Sequence, residues 1–296
     1  MSSYQINDLE RLTGIKAHTI RIWEKRYGLI TPGRTDTNRR FYDDHQVRKL
    51  LNVTTLMSYG HKISKIAALS DEQISEAVEK GATGNDYAHV YAGYVNDMVT
   101  SMLAYDENGF ERVFSAAALR LGLHDTMLRV VYPFLNKVGV LWSINKAAPV
   151  QEHFASCIIR RKMMAVLDGM LPSQSPQKTF LLFLPGGEWH EIGLLFADYI
   201  LRKKGCHTVY LGQNVPLQNV TGTVQAVKPD YLLTLFTAAR PAEEINMLLQ
   251  AYHEADSNAV ILYSGAAELI AGAENDGTKI RRLSGVDELE LFLDNV

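Results

Sequence analysis

The sequence predicts a multidomain chain of α and α/β parts: a winged helix-turn-helix head, a four-helix bundle and a doubly wound parallel sheet. Three observations predict it. Two short helical patterns flank Gly14-Ile15 near the start; helical apolar spacing runs from Tyr87 to about Leu171; and from Lys178 onward apolar runs alternate with helices. At 296 residues the chain is long enough for two or three domains, and 47% apolar with 21% charged residues is a soluble globular composition. Cys157 and Cys206 lack metal-ligand spacing and read as buried free thiols of a reducing compartment. No basic-apolar leader and no apolar run near the roughly 18 residues of a membrane span are seen, so a cytoplasmic location with no membrane partner is expected.

Charge divides the chain. Residues 1–70 hold 12 Lys+Arg against 6 Asp+Glu (+6), leaving 18 against 27 (−9) for the rest of the 30 and 33. A basic head on an acidic body points to a polyanion partner for the head. In that head, Ile6, Leu9 and Leu12 mark a first helix, and Ala17 to Tyr27 forms a second whose Arg21, Lys25 and Arg26 sit on or near one face. A second helix so placed enters the DNA major groove. Gly28 to Gly33 breaks the pattern, Arg34 to Tyr42 reads as a two-stranded wing, and helices over Asp43 to Tyr59 and near Ile63 to Leu69 complete a core. Trp23 and Tyr27 read as core residues.

The run Thr19-Ile20-Arg21-x-Trp23-Glu24-x-Arg26-Tyr27-Gly28-Leu29-Ile30, followed by Arg39-Arg40-Phe41-Tyr42, resembles the recognition helix and wing of the MerR family of winged-helix regulators, over residues 4 to about 70. The resemblance implies double-stranded operator DNA as partner. It also implies contacts from Thr19, Arg21 and Arg26 on the helix and from Arg39, Arg40 and Tyr42 on the wing. Guanidinium groups suit phosphates and guanine edges, and a tyrosine hydroxyl suits a phosphate.

Ser70 to Asp86 is polar and reads as a linker. Four helical segments follow: Val90 to Met102, Phe110 to Ala117, Met127 to Leu141 with a kink or shift at Pro133, and a last one starting at Pro149 and running to Met170. An antiparallel bundle is the simplest packing. Trp142 closes the third segment, and after nine intervening residues Glu152-His153 opens the fourth.

Beyond Lys178, strands read at Phe180 to Leu184, Thr208 to Leu211, Tyr231 to Leu235, Val260 to Tyr263 and Lys279 to Leu283, with helices at Glu191 to Lys204, Leu217 to Val227, Pro241 to Ala255 and Asp287 to Leu293. In such a Rossmann-like sheet ligands sit beyond the carboxyl ends of the strands. There, on the first strand-to-helix turn, stands Glu188-Trp189-His190-Glu191-Ile192-Gly193. A neutral imidazole suits a transition metal, and a carboxylate on its other nitrogen fixes the tautomer.

This Asp/Glu-x-His-x-x-Gly pattern resembles the signature of cobalamin-binding Rossmann-like domains, and Trp-x9-Glu-His resembles the cap of cobalamin-dependent MerR-type photoreceptors, the CarH-like proteins. The resemblance implies adenosylcobalamin as cofactor, with His190 as lower cobalt ligand, Glu188 supporting it and Gly193 admitting the corrin. Trp142, Glu152 and His153 would form the adenosyl pocket of a helical cap. Leu211-Gly212-x-Asn214-Val215-Pro216 matches the loop after the second strand. Thr234 replaces the family's Ser, Phe236 its Leu and Ser264 the first Gly of a Gly-Gly pair ending in Gly265; these positions line the slot for the nucleotide tail. Ser143 stands where photoreceptors carry a second cobalt-capping His.

The implied function is a non-enzymatic transcriptional repressor. Its adenosyl form assembles, as a tetramer by resemblance, and light dissolves the assembly. The expected domains are 1–72 (DNA-binding), 86–172 (cap) and 178–296 (cobalamin-binding). Two alternatives stay open: a regulator of this fold answering to a partner protein or another ligand, and a corrinoid methyl carrier.

Overall fold

Helix boundaries in the head follow from local chemistry. In α1 (Ile6–Thr13), Gln5 and Asp8 cap one another reciprocally, and Gly14 takes the left-handed conformation that ends the helix. The turn into α2 (Ala17–Tyr27) is held by Glu10, whose carboxylate accepts the Ala17 N–H at 2.9 Å and the Lys16 ammonium at 3.0 Å. Gly28 stops α2 in the same way as Gly14 stops α1. The wing is the antiparallel pair β1 (Gly33–Arg34) and β2 (Arg40–Phe41), tied back to the chain start by paired backbone hydrogen bonds between Tyr4 and Tyr42. The computed structural model describes residues 4–35, 38–58, 60–81, 87–143, 147–171, 173, 178–273 and 275–295. It separates into two compact units, Met1–Ile158 and Ile159–Val296.

The first unit continues with α3 (Asp44–Ser58), the single turn α4 (Ile63–Ile66) and α5 (Asp71–Gly81). The expected linker at Ser70 to Asp86 is therefore corrected over most of its length. Ser70 and Gln73 cap α5 reciprocally, and Ile74 and Val78 are buried from it. Residues 82–86 lie outside the described ones. Next come α6 (Tyr87–Leu103), α7 (Glu107–Leu121), α8 (Leu123–Thr126), a π-helical turn (Met127–Val131), α9 (Tyr132–Ser143) and the first half of α10 (Pro149–Asp168). The kink expected at Pro133 takes the form of that π turn. Proline offers no N–H and its ring crowds the carbonyl four residues back, and the wider turn just before it relieves both.

Head and bundle share a core in this unit, because α3 packs on both α5 and α6. A buried polar chain crosses the seam. The Lys137 ammonium donates to Asn96 Oδ1 at 2.8 Å, Asn96 Nδ2 donates to Thr55 Oγ1 at 2.8 Å, and Thr55 donates to the Leu51 carbonyl at 3.1 Å. Burial pushes the Lys137 amine down to about 8. Asn96→Ala takes away the acceptor of the Lys137 ammonium and the donor to the Thr55 hydroxyl, so a loss of about 1–3 kcal/mol is expected. Urea titration monitored on the first unit would measure it, and an unchanged midpoint would contradict it.

The second unit holds the rest of α10 and a five-stranded, wholly parallel sheet in the order β4-β3-β5-β6-β7. Its strands are β3 (Thr179–Pro185), β4 (His207–Val215), β5 (Tyr231–Phe236), β6 (Val260–Gly265) and β7 (Ile280–Arg282). Alternate residues face opposite cores. Leu181, Phe183, Leu232 and Phe236 pack on one side with α13 (Ala242–Ala255) and residues of α12 (Leu217–Val227); Phe180, Leu182, Leu184 and Leu233 pack on the other with α11 (Ile192–Lys203) and α14 (Val286–Leu293). Both faces are covered, so the strands read as continuous apolar runs. From β3 the chain steps one way to β4 and then the other way to β5, which opens a crevice at the carboxyl ends of β3 and β5. Both cysteines are free, but Cys157 is exposed rather than buried as expected. Among the described residues, no helix is long and apolar enough to cross a membrane.

Candidate cofactor and DNA sites

The loop Gly186–Glu191 leaves β3 at that crevice, and Glu188 bridges it. The Glu188 side chain is fully buried, with 0% exposed. Its Oε2 accepts the Thr237 and Ala238 N–H groups beyond β5 at 2.8 and 2.7 Å. Its Oε1 accepts the Trp189 and His190 N–H groups at 3.0 and 3.2 Å, and lies 2.6 Å from His190 Nδ1. Burial alone would raise this carboxyl's pKa. The hydrogen bonds from His190, Ala238 and Thr237 outweigh it and hold the group well below the usual carboxylate range.

An ionised carboxylate has no proton to give, so Nδ1 carries it and a neutral imidazole keeps its lone pair on Nε2. The His190 side chain is 66% exposed. Among the described residues no three His, Cys, Asp or Glu side chains gather as a metal-holding group. One oriented imidazole is the donor number suited to a metal that arrives already held by a macrocycle.

The loop after β4 braces this turn. Asn214 Oδ1 accepts the Gly187 N–H at 2.7 Å, and the Asn214 N–H donates to the Glu188 carbonyl at 3.0 Å. Gly193 sits where a Cβ would meet Leu235 Cδ1 at 3.0 Å, so its absence lets α11 lie close on β5. Gly265 is more tightly placed, since a Cβ there would come within 2.2 Å of the Phe236 carbonyl. Thr234 is fully buried, and its hydroxyl lacks a hydrogen-bond partner among the described residues. A buried orphan hydroxyl fits a position that meets a polar ligand. Ser264 turns its hydroxyl to the Leu283 carbonyl at 2.8 Å. Phe236 is buried edge-on to Tyr263.

In the first unit Trp142 is 59% exposed at the end of α9, which removes it from the bundle core. Glu152 accepts a hydrogen bond from Ser156 and lies 3.5 Å from His153 Nδ1, and His153 is exposed. The side chain of Ser143 lies outside the described residues.

In the head, Ile20 and Trp23 are buried from α2 while Arg21, Lys25 and Arg26 are exposed on it and Thr19 is half-buried. The Arg26 guanidinium lies 5.4 Å from the Tyr27 ring centre. Arg39 and Arg40 are exposed on the wing, with Arg40 3.5 Å from Glu24. Tyr42 is the departure. Expected to offer its hydroxyl to a phosphate, it is 0% exposed and donates that hydroxyl to Glu24 on α2. Burial first, and the Glu24 carboxylate second, push its phenol well above the ordinary value. It locks the wing to the helix from inside.

Sequence reasoning missed Thr237, Ala238 and the Asn214 side chain as supports of the loop. Only Asn214 lay in a motif that could have signalled it. It also missed an ion pair between Arg160 and the buried Glu191 carboxylate.

The head has the form of a DNA-binding module, and the Glu188–His190 turn lies at the edge of the parallel sheet where ligands bind. Residues 4–73 match the MerR HTH family regulatory proteins, and residues 94–167 match the B12 binding domain. The head is thus similar to MerR-type DNA-binding domains and the helical bundle to B12-binding domains. The chain is 29% identical over 269 residues to the HTH-type transcriptional repressor CarH of Myxococcus xanthus, covering 90% of this chain and 89% of that protein. It is also 29% identical over 249 residues to CarA, a repressor from the same organism, covering 83% and 81%. Among solved structures, the monomethylamine corrinoid protein of Methanosarcina barkeri shares the fold, with a TM-score of 0.52 at 14% identity over 66% of this chain and 95% of that one.

Proposed function

We propose that this chain is a cytoplasmic transcriptional repressor, not an enzyme, whose grip on operator DNA is controlled by adenosylcobalamin and by light. The observation that carries the reading is the buried Glu188 carboxylate, 2.6 Å from His190 Nδ1 in a chain whose head is of MerR type. In this proposal the domains are 1–72, 86–172 and 178–296. His190 is the lower cobalt ligand and Glu188 orients it, with Gly193 on the same turn. Trp142, Glu152 and His153 face the adenosyl group, a flat indole suiting a purine and a carboxylate suiting ribose hydroxyls. Thr234, Ser264 and Gly265 belong to the tail slot, and the unsatisfied Thr234 hydroxyl supports that assignment. Thr19, Arg21, Arg26, Arg39 and Arg40 contact DNA, while Tyr42 positions the wing.

Bound adenosylcobalamin supplies a cobalt–carbon bond that light can break. The chain's part is to hold the adenosyl side in the dark and to assemble, as a tetramer, so that several heads act on one operator. A single head offers only a small binding surface, so assembly supplies affinity and its loss acts as the switch.

The test mixes purified protein with adenosylcobalamin in the dark, removes free cofactor, and records the absorption spectrum and gel-filtration mass before and after green light. A retained corrin, a light-dependent spectrum and a falling mass are expected. Protein that retains no corrin would move the reading to a regulator answering to another ligand. A retained corrin with one mass in all states would remove the assembly switch.

A further inference from the structure

Glu191 directly follows the axial-ligand candidate, and its side chain is 5% exposed. Its Oε2 accepts from Arg160 Nε at 2.9 Å and Nη2 at 2.7 Å, and its Oε1 accepts from the Tyr210 hydroxyl at 3.0 Å. Its carbonyl accepts the Leu195 N–H at 2.9 Å, so the same residue starts α11. Burial, reinforced by the Glu191 charge, pushes the Tyr210 phenol far above its ordinary value and keeps it a donor. A Cβ on Gly212 would come within 3.3 Å of Glu191 Oε1, so β4 closes tightly over the carboxylate.

Three elements thus meet at one residue: α10 through Arg160 and β4 through Tyr210 on its side chain, and α11 through its backbone carbonyl. A buried ion pair is a weak source of net stability, but it fixes geometry when every oxygen is satisfied. The geometry it fixes here is that of the residue next to His190.

Resting on the cobalamin reading above, we propose that Arg160 is a positioning residue: through Glu191 it ties the His190 loop to α10, so that the placement of the axial histidine follows that helix. A shift of α10 at Arg160 then reaches the His190 loop through one ion pair to a buried carboxylate. The coupling also works in the other direction.

The experiment compares full-length wild type with Arg160→Met, Arg160→Lys and Glu191→Gln. Two readouts are used: the absorption spectrum with hydroxocobalamin, which separates histidine-ligated from water-ligated corrin, and amide hydrogen exchange of residues 187–192 in cofactor-free protein. Arg160→Met and Glu191→Gln are expected to lower the histidine-ligated fraction and weaken corrin affinity by about 10-fold, the size of effect seen when a ligand's supporting partner is removed. Exchange in the loop rises while the β5 and β6 amides stay protected, and Arg160→Lys recovers part of both effects. A wild-type spectrum together with wild-type loop exchange in Arg160→Met overturns the proposal. If the wild type itself takes up no corrin, the cobalamin reading fails, and the exchange comparison still decides whether Arg160 holds the loop.

Discussion

Glu188→Gln is expected to weaken corrin retention by about 10–100-fold, as removal of a ligand's outer partner does. The change is nearly isosteric, yet the site cannot accept it. One oxygen of Glu188 faces the Thr237 and Ala238 N–H groups, and the other faces the Trp189 and His190 N–H groups and Nδ1 of His190. Whichever way the amide turns, its NH2 confronts donors. Stability should fall by roughly 3 kcal/mol at neutral pH.

The same carboxylate shapes the acid limb of stability. Its folded pKa lies below the 4.5 of a free glutamate. Above that pH both folded and unfolded forms are ionised and the contribution is complete. As pH falls below it, the unfolded chain takes up a proton that the folded carboxylate refuses, and the contribution drains away. Chemical denaturation from pH 7 to 3 should show wild type losing more stability than Glu188→Gln. Parallel curves would refute the assignment of this carboxylate as a buried anion.

The second large effect is on DNA. Arg21→Ala is expected to cost about 1–3 kcal/mol in operator binding, and Arg26→Ala to lower the slope of log K against log salt by about 0.9 for each phosphate left without its counter-charge. Tyr42→Phe should leave that slope unchanged, because the hydroxyl is spent on Glu24 inside the head. It should instead lower the melting temperature of the head. Fluorescence anisotropy over a salt series reads these outcomes, and a Tyr42→Phe slope shifted like that of Arg26→Ala would restore the phosphate role to the hydroxyl.

Periodicity made most of the fold legible. The 3.6-residue spacing of Ile6, Leu9 and Leu12 and the doubly buried runs of β3, β5 and β6 each admit one reading. α5 escaped because its surface residues are nearly all polar, although Ser70-x-x-Gln73 spelled a helix start. β4 runs on to Val215 because Gly212 and Asn214 both adopt positive φ, a bulge that breaks the alternation on which strand reading depends.

The candidate site was legible where it joins side chains close in sequence, as in the contact of Glu188 with His190. The amides of Thr237 and Ala238 were not, since a backbone N–H leaves no mark on residue identity. Arg160 and Glu191 stand 31 residues apart with no shared motif. The partner of the Tyr42 hydroxyl is likewise Glu24, 18 residues away on α2, before both strands of the wing.

Two of the four amides that hold Glu188 belong to the residues just after the central strand β5, so they are in place whenever the sheet is folded. The rotational freedom of the His190 side chain is therefore given up when the chain folds, before any cofactor arrives. On the proposed cobalamin role, uptake at this loop is expected to be a rigid-body event. Its heat-capacity change should scale with the surface covered, without the added component that accompanies ordering of a segment on binding.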